Sequence, residues 1–217
     1  QQFLDNTSAA TRWCYSTKAQ FNQQDAFENI QSLQLQQDPA GATFLEFNEQ
    51  REPWMHTLIG DFNDQNVLAA CAALASLQIP LAKLSQAITQ LSPPPGRMER
   101  IELPNAALPL VIVDYAHTPD AVAQVLHTLA KHRVNSVQQL IVVFGCGGNR
   151  DAGKRALMGH VVATIANVAL VTADNPRDES AKSICDEIVA GMTLCSDEGV
   201  RIIVETDRRR AITQAIA

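Results

Sequence analysis

The chain has 217 residues, of which 46% are hydrophobic and 18% charged, a composition typical of a globular protein with a substantial core. Its formal net charge of −6 argues against nucleic acid as the main partner, because phosphate binding favours a basic face. The five cysteines are scattered without a C-x-x-C pair, and no apolar run reaches the roughly 20 residues of a membrane span. We therefore expect a cytoplasmic protein with no membrane span, disulfide framework or zinc site.

The first part of the chain mixes strand and helix patterns. Short strands are predicted in residues 12–17, 27–35, 42–48 and 53–60, and helices in residues 64–78 and 81–91. The segment "SPPPGR", residues 92–97, breaks any regular element and indicates a stiff connector. We therefore expect two domains, residues 1–95 and residues 96–217, with the boundary near Pro95.

The second part alternates regularly. Apolar strands are predicted in residues 108–115, 139–145, 167–173 and 200–205, and amphipathic helices in residues 118–132, 152–166, 179–192 and 207–217. This alternation is typical of an α/β fold with a doubly wound, mainly parallel sheet and flanking helices. Ligands then bind beyond the carboxyl ends of the strands. Because no strand follows the last helix, we expect the chain to be a piece of a longer one.

A glycine-rich segment follows the second of these strands. "GNRDAGKR", residues 148–155, fits the G-x-x-x-x-G-K pattern of a phosphate-binding loop, but Arg155 stands where that loop needs a hydroxyl for magnesium. We interpret its glycines as turn positions that free Arg150 to act as an anion-binding fork. A surface ion pair between Arg150 and Asp151 is the alternative.

A polar segment follows the third strand. In "VTADNPRDES", residues 171–180, an anion, an amide, a rigid turn residue and a guanidinium stand in succession: Asp174, Asn175, Pro176 and Arg177. The residues alone leave two interpretations open. One is a capped turn at the sheet edge, and the other is a clamp for a molecule that carries both an amine and a carboxylate.

Five segments resemble motifs of the Mur ligase family, in the same order along the chain. They are "LIGDFNDQNVLAA" (58–70), "PPPGRME" (93–99), "IVDYAHTPDA" (112–121), "GCGGNRDAGKR" (145–155) and "DNPR" (174–177). Each motif is weak by itself, whereas five in order are specific. Within the family, "DNPR" resembles the members that add diaminopimelate and not those that add lysine.

The resemblance implies an ATP-dependent amide ligase that adds meso-diaminopimelate to UDP-N-acetylmuramoyl-L-alanyl-D-glutamate through an acyl phosphate, in peptidoglycan precursor synthesis. It implies that residues 1–95 end a central ATP-binding domain and that residues 96–217 form most of a Rossmann-like carboxy-terminal domain. The phosphate loop, the ligands of Mg²⁺ and a G-K-G-H-E segment are expected outside the chain. We therefore expect this piece alone to be an inactive monomer.

The resemblance also implies nucleotide-binding residues. Asn66 is the expected adenine contact with Asn63 beside it, Arg97 reaches ATP as the domains close, and Asp114 accepts hydrogen bonds from the ribose. His117 is a further nucleotide contact. The alternatives are helix capping by Asn63 or by Asp64, packing of Arg97 as a linker residue, and for His117 either pairing with Asp114 or a purely structural role.

For diaminopimelate, the implied binding residues are Arg150, Asp174, Asn175, Pro176 and Arg177. Arg177 and Arg150 offer guanidinium forks to a carboxylate, and Pro176 fixes the loop. Asp174 and Asn175 accept hydrogen bonds from an ammonium, or Asn175 donates to a carboxylate. No catalytic residue is assigned within the chain. Two other functions remain open: a folylpolyglutamate-synthase-like ligase, which leaves "DNPR" unexplained, and a non-catalytic nucleotide-binding module.

Overall fold

The computed structural model describes residues 12–17, 30–105, 108–133, 137–193 and 199–217. The chain divides between Pro93 and Pro94 into two compact units, called unit 1 and unit 2. Residues 27–29 of the predicted second strand, and Cys195, lie outside the described residues.

Unit 1 is a four-stranded sheet with two helices. Its elements are β1 (Arg12–Ser16), β2 (Ile30–Gln37), β3 (Thr43–Phe47), β4 (Gln50–Pro53), α1 (Asp61–Ser76) and α2 (Leu81–Ile88). The strand order is β1-β2-β3-β4, with β1 parallel to β2 and the other pairs antiparallel. Leu33 and Leu45 are fully buried and pack against Leu68 of α1 and Leu84 of α2. Burial of these apolar side chains holds the helices on the sheet.

The predicted strand at residues 53–60 is wrong. The strand is β4, which ends at Pro53, and residues 54–59 are irregular. Asn48 and Glu49 have φ angles of 48° and 66° and join β3 to β4, as in a two-residue hairpin turn that matches the strand twist. After Pro53 the chain leaves the sheet, and the Trp54 indole donates to Asp64 Oδ1 of α1 over 2.8 Å.

Unit 2 contains the predicted alternation of strands and helices. Its elements are β5 (Glu99–Ile101), β6 (Val111–Val113), α3 (Pro119–Lys131), β7 (Ile141–Phe144), α4 (Gly153–Ile165), β8 (Val168–Val171), α5 (Ala181–Thr193), β9 (Arg201–Val204) and α6 (Arg208–Ile216). Strands β7, β8 and β9 form a parallel sheet in chain order. The α/β fold class is confirmed. In one detail the prediction differs, because β6 pairs antiparallel with β5 instead of joining the parallel strands.

Both faces of the central strand β8 are covered. Ala169 and Val171 pack in the cluster that holds α4 and α5, and Val168 and Leu170 pack against Ala211 of α6. Successive side chains of a strand point to opposite faces, so burial on both faces explains the unbroken apolar sequence of β8. The arrangement leaves the carboxyl ends of β7 and β8 as neighbours at one edge of the sheet.

Candidate functional site

The candidate site of unit 2 lies on two loops at this edge. One loop, residues 145–150, follows β7 and leads to α4, and the other, residues 172–180, follows β8 and leads to α5. Because β7 and β8 are parallel and hydrogen-bonded neighbours, the two loops leave the sheet side by side. They are called the glycine loop and the DNPR loop below.

The two loops are joined by backbone and side-chain hydrogen bonds. Gly148 N–H donates to Asn175 O over 2.9 Å, and Arg177 Nη1 donates to Gly148 O over 2.5 Å. A methyl group placed on Gly148 would lie 1.8 Å from Pro176 O, far inside van der Waals contact. Glycine is therefore the residue that allows this approach. A hydrogen bond of 2.9 Å from Asn149 Nδ2 to Asp178 Oδ2 extends the contact.

The five residues expected to bind diaminopimelate all lie on these loops. A methyl group placed on Gly147 would lie 3.1 Å from Arg177 Nη1 and 3.9 Å from Arg150 Cγ, so both arginines border the same glycine. Arg150, Asp174, Asn175 and Arg177 are exposed, and Pro176 is half-buried against the glycine loop. The edge thus presents two guanidinium groups, a carboxylate and an amide to solvent.

Arg150 and Asp151 do not form the ion pair that was the alternative interpretation, within the part of the chain that the structure describes. Asp151 Oδ1 instead accepts from Gly153 N–H over 2.9 Å at the start of α4. Lys154 Nζ donates to His117 O over 3.0 Å. The two groups that a phosphate would use, a helix-start amide and a lysine, are thus engaged within the protein.

Arg155 organises the site from beneath, a role that the sequence reading missed. Its side chain is 1% exposed, and it donates to both carboxylate oxygens of Glu179, over 2.8 and 2.9 Å, and to Glu187 Oε2 over 3.0 Å. A longer contact of 3.4 Å joins Nη2 to Gly147 O. The helical spacing of Arg155 with the buried Met158 and Val162 indicated burial and was the available signal.

Charge complementarity in this cluster shifts two pKa values. The Arg155 guanidinium donates to Glu179, and the backbone N–H of Asn149 donates to the same carboxylate, and both lower its pKa. In turn, the hydrogen bonds to Glu179 raise the pKa of Arg155 above its ordinary value. Both groups are therefore charged at neutral pH.

The expected nucleotide residues of unit 2 lie around an aromatic side chain that the sequence reading did not select. Tyr115 is 62% exposed, and the Arg97 guanidinium carbon lies 4.6 Å from its ring centroid. The His117 ring meets the ring of Tyr115 edge-on, at 5.0 Å between centroids. Arg97, Tyr115 and His117 form an exposed cluster of flat groups.

Asp114 and His117 do not pair with each other. Asp114 Oδ1 and Oδ2 accept from the backbone N–H groups of Ala116 and Met98, each over 2.8 Å. The His117 ring donates through Nδ1 to Tyr115 O over 3.0 Å, because a carbonyl can only accept. Each carboxylate oxygen of Asp114 keeps a second lone pair for another donor.

In unit 1, Asn63 and Asn66 lie on the first turns of α1. The Asn63 side chain donates through Nδ2 to Ile59 O over 2.8 Å, whereas Asn66 is exposed. Asp64 accepts from Trp54 and lies 3.0 Å from His56 Nε2. The alternative of helix capping by Asn63 or Asp64 is wrong, since Gly60 is the N-cap residue of α1 and no side chain caps this helix.

Within residues 12–17, 30–105, 108–133, 137–193 and 199–217, no group of three or more His, Cys, Asp or Glu side chains is placed to hold a metal ion. Over the same residues, no helix has the length and apolar character to cross a membrane.

Comparison with known proteins gives a family match. The profile described as Mur ligase, glutamate ligase domain, matches residues 96–217, more than half of the chain. The chain is 47% identical over 160 residues to UDP-N-acetylmuramoyl-L-alanyl-D-glutamate–2,6-diaminopimelate ligase from Acidovorax sp. (strain JS42). That alignment covers 74% of this chain and 31% of the relative, so the chain spans about a third of that curated protein.

Solved structures agree with this match. A structure of UDP-N-acetylmuramoyl-L-alanyl-D-glutamate–2,6-diaminopimelate ligase is 35% identical, with a TM-score of 0.54 over 86% of this chain and 39% of that one. Folylpolyglutamate synthase of Mycobacterium tuberculosis, complexed with ADP and AMPPCP, has a TM-score of 0.63 over 86% of this chain and 42% of its own. At 19% identity, the second likeness concerns the fold alone.

Proposed function

The chain belongs to the Mur ligase family, and from that premise we propose that it serves in an ATP-dependent ligase that joins meso-diaminopimelate to UDP-N-acetylmuramoyl-L-alanyl-D-glutamate. The names of the relatives at 47% and 35% identity support the proposal. The observation that carries it is the pair of guanidinium groups, of Arg150 and Arg177, which border Gly147 beside the exposed Asp174 and Asn175.

Diaminopimelate has two amino-acid ends, and its distal end carries both an ammonium and a carboxylate. Arg177 uses Nη1 to hold Gly148 O and is otherwise exposed, so in this proposal its remaining N–H groups form a fork with that carboxylate. In this proposal Arg150 supplies a second cation, and Asp174 with Asn175 accepts from the ammonium. Lysine has the ammonium without the carboxylate, so the guanidinium groups discriminate between the two amino acids.

The proposed reaction has two steps, and its three substrates must be positioned for them. ATP transfers its terminal phosphoryl group to the D-glutamyl carboxylate, and an amine of diaminopimelate then attacks the acyl phosphate and releases phosphate. Unit 2 orients the attacking amino acid, because the interlocked loops fix its binding groups without further ordering. As the family resemblance implies, the ligands of Mg²⁺ are expected outside this chain.

We also propose which side chains of this chain contact ATP. The exposed ring of Tyr115 offers a stacking surface for adenine, and the Arg97 guanidinium above this ring offers a cation for phosphate. Asp114 has lone pairs left for ribose hydroxyls, and the exposed Asn66 amide can read an adenine edge. His117 borders the same surface.

The test is an Arg177→Ala substitution in a full-length protein that contains this chain. We expect kcat/KM for diaminopimelate to fall about ten- to a hundredfold, the effect of losing one charge-assisted hydrogen-bonded pair of roughly 1.5–3 kcal/mol. Any turnover of lysine should not change, because lysine has no distal carboxylate.

Arg133→Ala is the matched control. It also removes an exposed guanidinium, but Arg133 donates to Asn167 just before β8, at the opposite edge of the sheet. Diaminopimelate turnover should survive this change. The proposal is wrong if Arg177→Ala leaves diaminopimelate kinetics unchanged, or if the wild-type protein extends tetrahydrofolate with glutamate and ignores diaminopimelate.

A further inference from the structure

Beneath the exposed binding groups, a second set of charged side chains joins the glycine loop to the DNPR loop. Glu179 lies at its centre. Its Oε1 accepts from Asn149 N–H of the glycine loop over 2.5 Å and from Arg155 Nη2 over 2.8 Å, and its Oε2 accepts from Arg155 Nη1 over 2.9 Å. One carboxylate therefore ties two loops and one helix together.

The position of Glu179 relates it directly to Arg177. Only Asp178 separates the two residues, and Glu179 N–H donates to Pro176 O over 3.0 Å in a turn that encloses Arg177. Arg177 has a φ of 52°, a conformation that costs free energy for a residue with a Cβ. The contacts of Glu179 hold this turn closed from one side, and those of Gly148 hold it from the other.

We propose that Glu179, held by the buried fork of Arg155, is a positioning residue that sets Arg150 and Arg177 at the spacing required by the amino-acid substrate. This inference rests on the proposed function. Neither side chain contacts the substrate. Glu179 fixes Asn149, the residue before Arg150, and the turn that carries Arg177, so that the two guanidinium groups are aligned before substrate binds.

Glu187 provides a matched comparison, because it also accepts from Arg155 but touches neither loop in the described contacts. Its Oε2 accepts from Nη1 over 3.0 Å, and its exposure of 44% is close to the 36% of Glu179. Glutamine at position 187 can keep this bond with its one oxygen. Glutamine at position 179 cannot keep all the hydrogen bonds of Glu179, because both carboxylate oxygens accept. Its amide nitrogen is itself a donor and would face an N–H donor of Arg155 or Asn149.

The experiment compares Glu179→Gln, Glu187→Gln and Arg155→Lys in the full-length protein. For Glu179→Gln we expect KM for diaminopimelate to rise about tenfold or more while KM for ATP stays unchanged. Arg155→Lys should act in the same direction, because lysine lacks the fork. Glu187→Gln should leave both constants near those of the wild type. Equal effects of Glu179→Gln and Glu187→Gln, or a parallel change in both KM values, would overturn the inference.

Hydrogen exchange gives a readout that does not depend on turnover. In the same protein, Glu179→Gln should accelerate amide exchange in residues 147–150, and Glu187→Gln should not. Unchanged exchange in this segment refutes the positioning role, even in a protein that adds diaminopimelate. If exchange accelerates but the wild type does not use diaminopimelate, the positioning role stands and the substrate assignment fails.

Discussion

At two adjacent glycines of the glycine loop, the same substitution to alanine is expected to change stability by very different amounts. A Cβ at Gly148 would lie 1.8 Å from Pro176 O and 2.6 Å from the carbonyl carbon, and both are backbone atoms. A Cβ at Gly147 would first meet Arg177 Nη1 at 3.1 Å, the far end of a flexible side chain. Neither glycine has a positive φ, so alanine can adopt both backbone conformations.

For Gly148→Ala the two loops must separate, which breaks the hydrogen bond from Gly148 N–H to Asn175 O. Overpacking of this kind costs about 1–3 kcal/mol, and the short contact with rigid backbone places the expected loss in the upper half of that range. For Gly147→Ala we expect a change in the free energy of unfolding within about 0.5 kcal/mol, because loss of chain entropy in the unfolded state offsets the mild crowding.

Urea unfolding followed by far-UV circular dichroism measures both changes. With a urea dependence of about 1–3 kcal/mol per molar, Gly148→Ala should lower the midpoint by roughly 1 M. The two tryptophans of the chain, Trp13 and Trp54, both precede the division at Pro93, so their fluorescence records the unfolding of unit 1 separately. The close-approach argument is refuted if Gly148→Ala is as stable as the wild type, or if Gly147→Ala loses as much.

Two further predictions concern charge and stacking. Tyr115→Ala should weaken nucleotide binding, whereas Tyr115→Phe should retain it. The contact with Arg97 uses the face of the ring and is worth about 0.5–1 kcal/mol. Calorimetry with ATP measures both affinities, and equal affinities of the two variants would contradict a stacking role. The lowered pKa of Glu179, relative to 4.5, means that its carboxylate stabilises the fold above that pH and that this contribution is lost as pH falls through the folded-state pKa. The difference in urea midpoint between wild type and Glu179→Gln should therefore narrow below about pH 4.5, and a difference that does not depend on pH would contradict this linkage.

The sequence was informative wherever local pattern decides structure. Helix α3 was predicted at residues 118–132 and spans Pro119–Lys131, because Thr118 caps it and Pro119 occupies its first turn. Strand β8 was predicted from its apolar run alone. Strand pairing depends on distant partners, so the antiparallel pairing of β6 with β5 could not be inferred from residues 108–115.

The candidate site was predicted unevenly for a similar reason. Arg150 and Arg177 were selected from their loops, and the family resemblance supplied their proposed roles. From the sequence, Arg155 was considered only as a residue that replaces the hydroxyl of a phosphate loop, and its burial was not predicted. Its spacing with Met158 nevertheless matches a buried helix face. Its partners Glu179 and Glu187 lie 24 and 32 residues away, a distance over which sequence pattern gives no pairing.

The interlocking of the two loops bears on how substrate choice in this fold could be re-engineered. Gly148 contacts Pro176, Asn149 contacts Glu179, and Arg177 contacts Gly148, so the conformation of each loop depends on the other loop. A designer who wants a different amino acid at this edge must transplant both loops as one cassette. Exchange of either loop alone would remove one partner from the hydrogen bonds that join Asn149 to Asp178 and Glu179.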